Sequence, residues 1–276
     1  MVLVHGLGGS SVNWLAVGPG LANQARVLAP DLAGFGRSPL AGRSARVQAN
    51  QRLLGRFIDE LAVDPVILVG NSMGGMIALL EAADHPERVA GLVLVDPAVP
   101  RPRGVRLDPE VGLVFAAYAV PGLGERLLAR HRARVGLEGI VSDVLQVCCV
   151  EPEQIPSELL EELRSSTRER AGFPWADAAF LQAAQSLIAT LVVRPRRYLQ
   201  LIGEVDVPTL LIQGAADRLV PLASIEALVR NRPEWTVHVL DGIGHVPHVE
   251  APRRFVELVT TWLDGQDARP DRRAAG

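Results

Sequence analysis

The sequence predicts an α/β fold in which a mostly parallel sheet carries helices on both faces and receives an all-helical insertion. Three observations predict it. Short β-branched and leucine-rich runs alternate with segments of helical period, the alternation pauses between Pro100 and Gly203, and it resumes at Val207-Pro208. Alternation of this kind is what a parallel sheet with crossover helices requires, because its strands are covered on both sides and read as almost continuous apolar runs.

Taken in order, the strands are expected at Val2 to His5, Arg26 to Ala29, Val66 to Val69, Leu92 to Val95, Thr209 to Gln213 and Thr236 to Leu240. Each is a short apolar run bounded by Gly, Pro or Asp. Leu53, Leu54, Phe57, Ile58 and Leu61 recur on one face opposite Arg52, Arg56, Asp59 and Glu60, which predicts a helix packed on the sheet. Residues 100–203 read as several helices interrupted at Pro109, Pro121-Gly122, Pro152, Pro156, Pro174 and Pro195. The expected organisation is therefore a core of residues 1–99 and 204–264, a helical cap of residues 100–203, and a flexible tail of residues 265–276 that carries Arg269, Asp271, Arg272 and Arg273.

Composition narrows the function. All 28 basic residues are arginine, and against 31 acidic ones they leave a formal charge of −3, so no basic field is present to draw nucleic acid. The two cysteines, Cys148 and Cys149, are adjacent, a spacing that strains a mutual disulfide and does not read as a metal cluster. They are expected as half-buried thiols. The uncharged stretch Val111 to Gly124 is shorter than the roughly 20 residues of a bilayer crossing and is interrupted by Pro121. The first residues lack the basic segment and cleavage site of a secretory signal, so a cytoplasmic location is expected.

One constellation carries chemistry. Val66 to Val69 runs into Gly70-Asn71-Ser72-Met73-Gly74-Gly75 and then into a helix with Met76, Leu79, Leu80 and Ala83 in register. A strand, a G-x-S-x-G turn and a helix together make a nucleophile elbow, in which a strained backbone raises the serine hydroxyl above the sheet. Side chains at Gly70 and Gly74 would strike the neighbouring strand and helix. A serine hydroxyl needs a base, and that base needs a carboxylate to hold its tautomer. His245 sits in a Gly-rich loop after Thr236 to Leu240, and Asp217 in the loop after Thr209 to Gln213. Both loops lie at carboxyl ends of strands, where sites of open α/β sheets form. The order Ser72, Asp217, His245 is that of the hydrolases.

At this point the chain resembles the α/β-hydrolases. The matching residues are His5-Gly6-Leu7-Gly8-Gly9-Ser10, Asp31-Leu-Ala-Gly34-Phe-Gly36-Arg37-Ser38, the serine turn, Gly214-Ala-Ala-Asp217 and Gly244-His245, five motifs in order across the core. The resemblance implies an oxyanion hole made by the backbone N–H groups of Leu7 and Met73. It also implies that further strands precede the His-Gly strand, so a natural start upstream of Met1 is expected.

Competing residues have plainer readings. Asp96, at the end of the strand before the cap, is the alternative acid, since some members of the family supply it from there. His248 is read as structural or pocket-lining, His5 as a loop organiser, and His85, His131 and His238 as surface or capping residues. The arginines at 126–134 and at 194, 196 and 197 read first as solvated faces and second as a grip on a substrate carboxylate or phosphate. Val111 to Leu123, with Phe115 and Tyr118, reads equally as a packing face or as the roof of an acyl pocket.

The expected function is a cofactor-free, metal-free serine hydrolase that cleaves a carboxylic ester of an apolar or mixed small molecule through an acyl-enzyme. Alternatives are hydrolysis of a carbon–carbon bond in a ring-fission product, acyl transfer or perhydrolysis, and, from a different class, a non-catalytic ligand-binding protein. The serine turn resembles that of the carbon–carbon hydrolases. Two features argue the other way: the His-Gly loop continues as Leu7-Gly8-Gly9 with no proline, and Val246 follows His245.

Overall fold

A computed structural model describes residues 1–61 and 65–267. Five parallel strands form one sheet: β1 (Val2–Val4), β2 (Val66–Asn71), β3 (Val89–Val95), β4 (Thr209–Gly214) and β5 (Thr236–Leu240), hydrogen-bonded in that order. Val2 pairs with Leu68, Leu94 with Gly70, Val95 with Ile212, and Gln213 with Val239. Successive side chains of a strand point to opposite faces, so each apolar run feeds two cores. Val2, Val4, Leu68, Leu92, Leu94 and Leu211 enter one; Leu3, Val69, Val93, Val95, Leu210 and Ile212 enter the other.

The first core is closed by α2 (Val47–Leu61) and α3 (Met73–Asp84), and the second by the one-turn α1 (Gly18–Leu21) and by α11 (Pro252–Asp267) through Phe255, Val259 and Trp262. Burying an aromatic or aliphatic side chain of this size contributes about 1.5–3 kcal/mol. On α2 the expected face is narrower than its sequence pattern, because Leu54 and Ile58 are buried while Leu61, at the helix end, is exposed.

The segment Arg26 to Ala29 is not a strand. Only Val2 and Leu28 form a bridge, through Leu3 N–H to the Leu28 carbonyl (2.8 Å) and Leu28 N–H to the Met1 carbonyl (3.0 Å). Leu28 pairs on one side alone, and Pro30, which has no N–H to give, cuts the ladder short. β5 departs from the buried-strand pattern too: it is an edge, with His238 half-buried and Val239 exposed.

Between β3 and β4 the chain is helical: α4 (Pro109–Ala119), α5 (Leu123–Cys148), α6 (Ser157–Ala171), α7 (Ala176–Ile188), a π-turn at Ala189–Val193, and α8 (Pro195–Glu204). Of the prolines expected to interrupt the run, Pro109 and Pro195 open α4 and α8 and Pro156 caps α6, where a missing N–H costs nothing; Pro121 and Pro174 stand just before the caps of α5 and α7, and Pro152 opens a 3-10 turn. The bend of α5 at Gly136 has no counterpart in that reading. The run Ala176–Val193 has the length and hydropathy of a membrane span, but Ala179, Ala183 and Leu187 are spent on the first core. After β4 come α9 (Leu222–Val229), β5 and the short α10 (Pro247–Glu250). α11 continues through Asp267, so residues 265–267 are helical, and the rest of the expected tail lies outside the described residues.

Candidate active site

Ser72 occupies the turn between β2 and α3 with φ +54° and ψ −116°, one of three non-glycine residues with positive φ among the described residues. Such a backbone costs of order 1–3 kcal/mol and persists only where its surroundings over-determine it. Here they do. Ser72 N–H donates to the Val95 carbonyl (3.0 Å), and the Ser72 carbonyl accepts from Ala98 (3.0 Å) and Met76 (3.1 Å). A Cβ on Gly74 would be driven into the Val4 carbonyl oxygen, so glycine there lets α3 start directly against β1. Met73 is the first residue of α3 and is buried; Leu7 is half-buried in the loop after β1. That loop lies against the serine turn: a Cβ on Gly6 would stand 3.2 Å from Ser72 Cβ.

Asp217 and His245 come from the loops after β4 and β5. A Cβ on Gly214 would strike the Gly244 carbonyl oxygen, so the two loops touch through backbone where any larger residue would hold them apart. His245 Nδ1 donates to Asp217 Oδ2 at 2.7 Å, with both residues buried. Asp217 Oδ1 accepts from the Leu219 (2.7 Å) and Val220 (3.0 Å) amides, and Gln213 Nε2 reaches Oδ2 at 3.4 Å. Burial pushes the Asp217 carboxyl up, but the His245 ring and the two amides outweigh it and hold the group below the usual carboxylate range. Ser72 is tied to this pair through its neighbour: Asn71 Nδ2 donates to the His245 carbonyl (3.0 Å) and to the Val95 carbonyl (3.1 Å).

Other contacts hold the histidine loop. His245 N–H donates to the Cys148 carbonyl at the end of α5 (2.6 Å). Glu250 of α10 accepts from Gly244 N–H (2.9 Å) and Val150 N–H (2.8 Å), fastening the same loop to the helical segment. Asp96 reaches the pair as well, its side-chain oxygen lying within 4.8 Å of both Asp217 and His245. Within this trio the His245 Nδ1–H is spent on Asp217.

Of the residues singled out in the sequence, Asp217 and His245 meet directly, Ser72 adjoins them through Asn71, and Leu7 and Met73 flank the serine turn. Asn71 and Glu250 were not legible as site residues. Asn71 is a variable position inside G-x-S-x-G, and nothing in the local sequence ties Glu250 to the histidine loop. His248 is fully buried and stacked on Trp14 (4.3 Å between centroids), and His5 is fully buried between the Gly6 carbonyl and Leu32 N–H. Cys148 is half-buried and Cys149 buried, both as free thiols. Arg132 pairs with Asp177, while Arg194, Arg196 and Arg197 are exposed to solvent. A cavity of about 460 Å³ opens elsewhere, beside Trp14, Asp31 and Glu169, and none of Ser72, Asp217 or His245 lines it.

Comparison with known proteins places the fold. The family model for the alpha/beta hydrolase fold matches residues 1–252. The chain is 31% identical to a 2-hydroxymuconate semialdehyde hydrolase of a Pseudomonas species, over 97% of this chain and 88% of that one. It is 28% identical to a pimeloyl-acyl-carrier-protein methyl ester esterase of Aeromonas hydrophila, over 94% and 93%. A solved thermophilic esterase from Thermogutta terrifontis superimposes with a TM-score of 0.72 at 26% identity, covering 96% of this chain and 89% of that one. The chain belongs to the alpha/beta hydrolase fold family, and it is a hydrolase.

Proposed function

We propose that the protein is a serine hydrolase that cleaves a carboxylic ester of an apolar or mixed small molecule. The observation that carries this reading is the buried His245–Asp217 pair, bonded at 2.7 Å and tied through Asn71 to a serine held at positive φ. A strained serine turn next to an oriented imidazole has a use in nucleophilic catalysis and none in simple ligand retention.

In this mechanism Ser72 attacks the ester carbonyl while His245 Nε2 takes its proton. Asp217, kept ionised by its donors, holds the Nδ1–H tautomer and stabilises the imidazolium. The Leu7 and Met73 amides receive the oxyanion, aided by the positive end of the α3 dipole. His245 then returns the proton to the leaving alcohol, and a water activated by the same ring releases the acyl group. Residues 100–203 act as the cap. Phe180 of α7 stands over Gly8, one residue from Leu7, and packs edge-on against Tyr118 of α4 (5.3 Å), which favours an apolar acyl group.

A second reading is favoured by a specific finding: relatives of about 30% identity are named as hydrolases of ring-fission products, such as 2-hydroxymuconate semialdehyde. Carbon–carbon cleavage would use the same Ser72, Asp217 and His245. Turnover of short and medium acyl esters against vinylogous keto-acids separates the two readings. The ester reading expects esters to be hydrolysed with the higher kcat/KM, and Ser72→Ala to abolish that activity. Near wild-type activity in Ser72→Ala would overturn both.

A further inference from the structure

We infer that Asp96 is a positioning residue that carries a proton on Oδ2 and donates it in a hydrogen bond to the Asp217 carboxylate, fixing the acid that orients His245. The inference rests on the catalytic reading of Ser72, Asp217 and His245 and names a further residue that reading requires.

The two carboxyls differ in their donors. Asp217 has two backbone amides on Oδ1, with the His245 ring and the Gln213 amide on Oδ2, so it is equipped to stay charged. Asp96 has one donor, the Gly214 amide on Oδ1 at 2.8 Å, and its Oδ2 is buried with no partner among the described residues. An ionised carboxylate with one oxygen bare, fully buried and close to a second carboxylate, has no compensation for the water it lost. A proton on Oδ2 removes the like-charge repulsion and converts the orphaned acceptor into a donor. The carboxylate beside it is Asp217, with an oxygen within 4.8 Å of an Asp96 oxygen.

The surroundings agree. The ionisable groups that face Asp96 are Asp217 from the β4 loop, His245 from the β5 loop, Glu250 from α10 and the Cys148 thiol at the end of α5. Burial, then the Asp217 charge, pushes the Asp96 carboxyl well above the usual carboxylate range. The backbone of Asp96 is held at φ +44° by its own N–H bond to the Ile212 carbonyl (3.0 Å), which places the carboxyl across the ends of β3 and β4.

The test compares Asp96→Asn with Asp96→Ala in the full chain. Asparagine keeps an oxygen for the Gly214 amide and an N–H for Asp217, so it is expected to restore most of the roughly 10- to 100-fold in kcat that alanine loses. The acid limb of kcat/KM is expected to stay in place in Asp96→Asn, because no charge is removed. A shift of that limb to lower pH would show that an anionic Asp96 had been stabilising the His245 imidazolium, and would overturn the inference. Independently of activity and of how well the alanine variant folds, infrared difference spectra of the wild type are expected to show a protonated carboxyl band at neutral pH that Asp96→Asn lacks. Identical spectra would also overturn it. The band reports the Asp96 proton whether or not Ser72 is nucleophilic, whereas fluorophosphonate labelling of Ser72 reports the catalytic reading alone, so the two failures are separable.

Discussion

Replacing His248 by phenylalanine should flatten the acid limb of stability. His248 is fully buried and stacked on Trp14, and neither ring nitrogen has a partner among the described residues. Burial, and then the neighbouring His245 ring, pushes its pKa down to about 3, against about 6.5 in an unfolded chain. Below pH 6.5 the unfolded chain therefore binds a proton that the native state refuses, and stability falls as pH falls. The slope is about 1.4 kcal/mol per pH unit, so the loss reaches ~3 kcal/mol by pH 4, a large share of a typical domain's 5–15.

Two other groups act in the same window. His5 donates from Nδ1 to the Gly6 carbonyl (2.8 Å) and accepts at Nε2 from Leu32 N–H (3.1 Å), so protonation would set two donors against each other. Burial is the main cause of its pKa of about 4, and it adds a similar loss. Asp96 works in the opposite sense, because a carboxyl that stays protonated when folded favours the native state as pH falls toward 4. The stability lost between pH 6.5 and 4 should accordingly be ~3 kcal/mol smaller in His248→Phe than in the wild type, because the His5 and Asp96 contributions are common to both. Urea unfolding of both proteins at several pH values measures this, and any constant packing cost of phenylalanine cancels in the comparison. Parallel stability curves for the two proteins would show that His248 takes up its proton equally well folded and unfolded.

Further outcomes follow from the same contacts. Gly74→Ala forces a methyl group into the Val4 carbonyl, so the variant should fail to accumulate as folded protein or should unfold at a much lower temperature, as read by circular dichroism. Asn71→Ala leaves the Val95 and His245 carbonyls short of a donor. It should cost roughly 1–3 kcal/mol in urea unfolding and lower kcat more than it raises KM, since it loosens the base rather than the substrate. Both thiols resist ionisation, Cys149 with a pKa of about 12 and Cys148 higher still, chiefly through burial. A thiol reagent at neutral pH should leave both unmodified until the protein is unfolded.

What the sequence made legible was whatever local chemistry determines. The serine turn announces itself because glycines at fixed offsets from Ser72 have a steric role that no other residue fills. The positions of β2, β3 and β4 were readable because the middle of a strand buried on both faces is filled by apolar residues. Arg26 to Ala29 misled for the complementary reason: its composition suits a strand, but a strand also needs a partner on a continuous ladder, and only Leu28 has one. Long-range contacts were hidden. Nothing near Cys148 in sequence predicts that its carbonyl takes the His245 amide, and Glu250 becomes a clamp only once α5 is seated beside the loop. Asp96 and Asp217 were read as rivals for one role, whereas the fold brings both carboxyls to the same imidazole.

The proposed mechanism turns on Ser72 being a nucleophile activated by His245. Intact-mass analysis of the folded protein after exposure to a fluorophosphonate, followed by peptide mapping, tests it without assuming a substrate. A single adduct on Ser72 that is lost in His245→Ala is expected. A folded protein that takes up no probe, or one that is labelled at Ser72 equally well without His245, would contradict it.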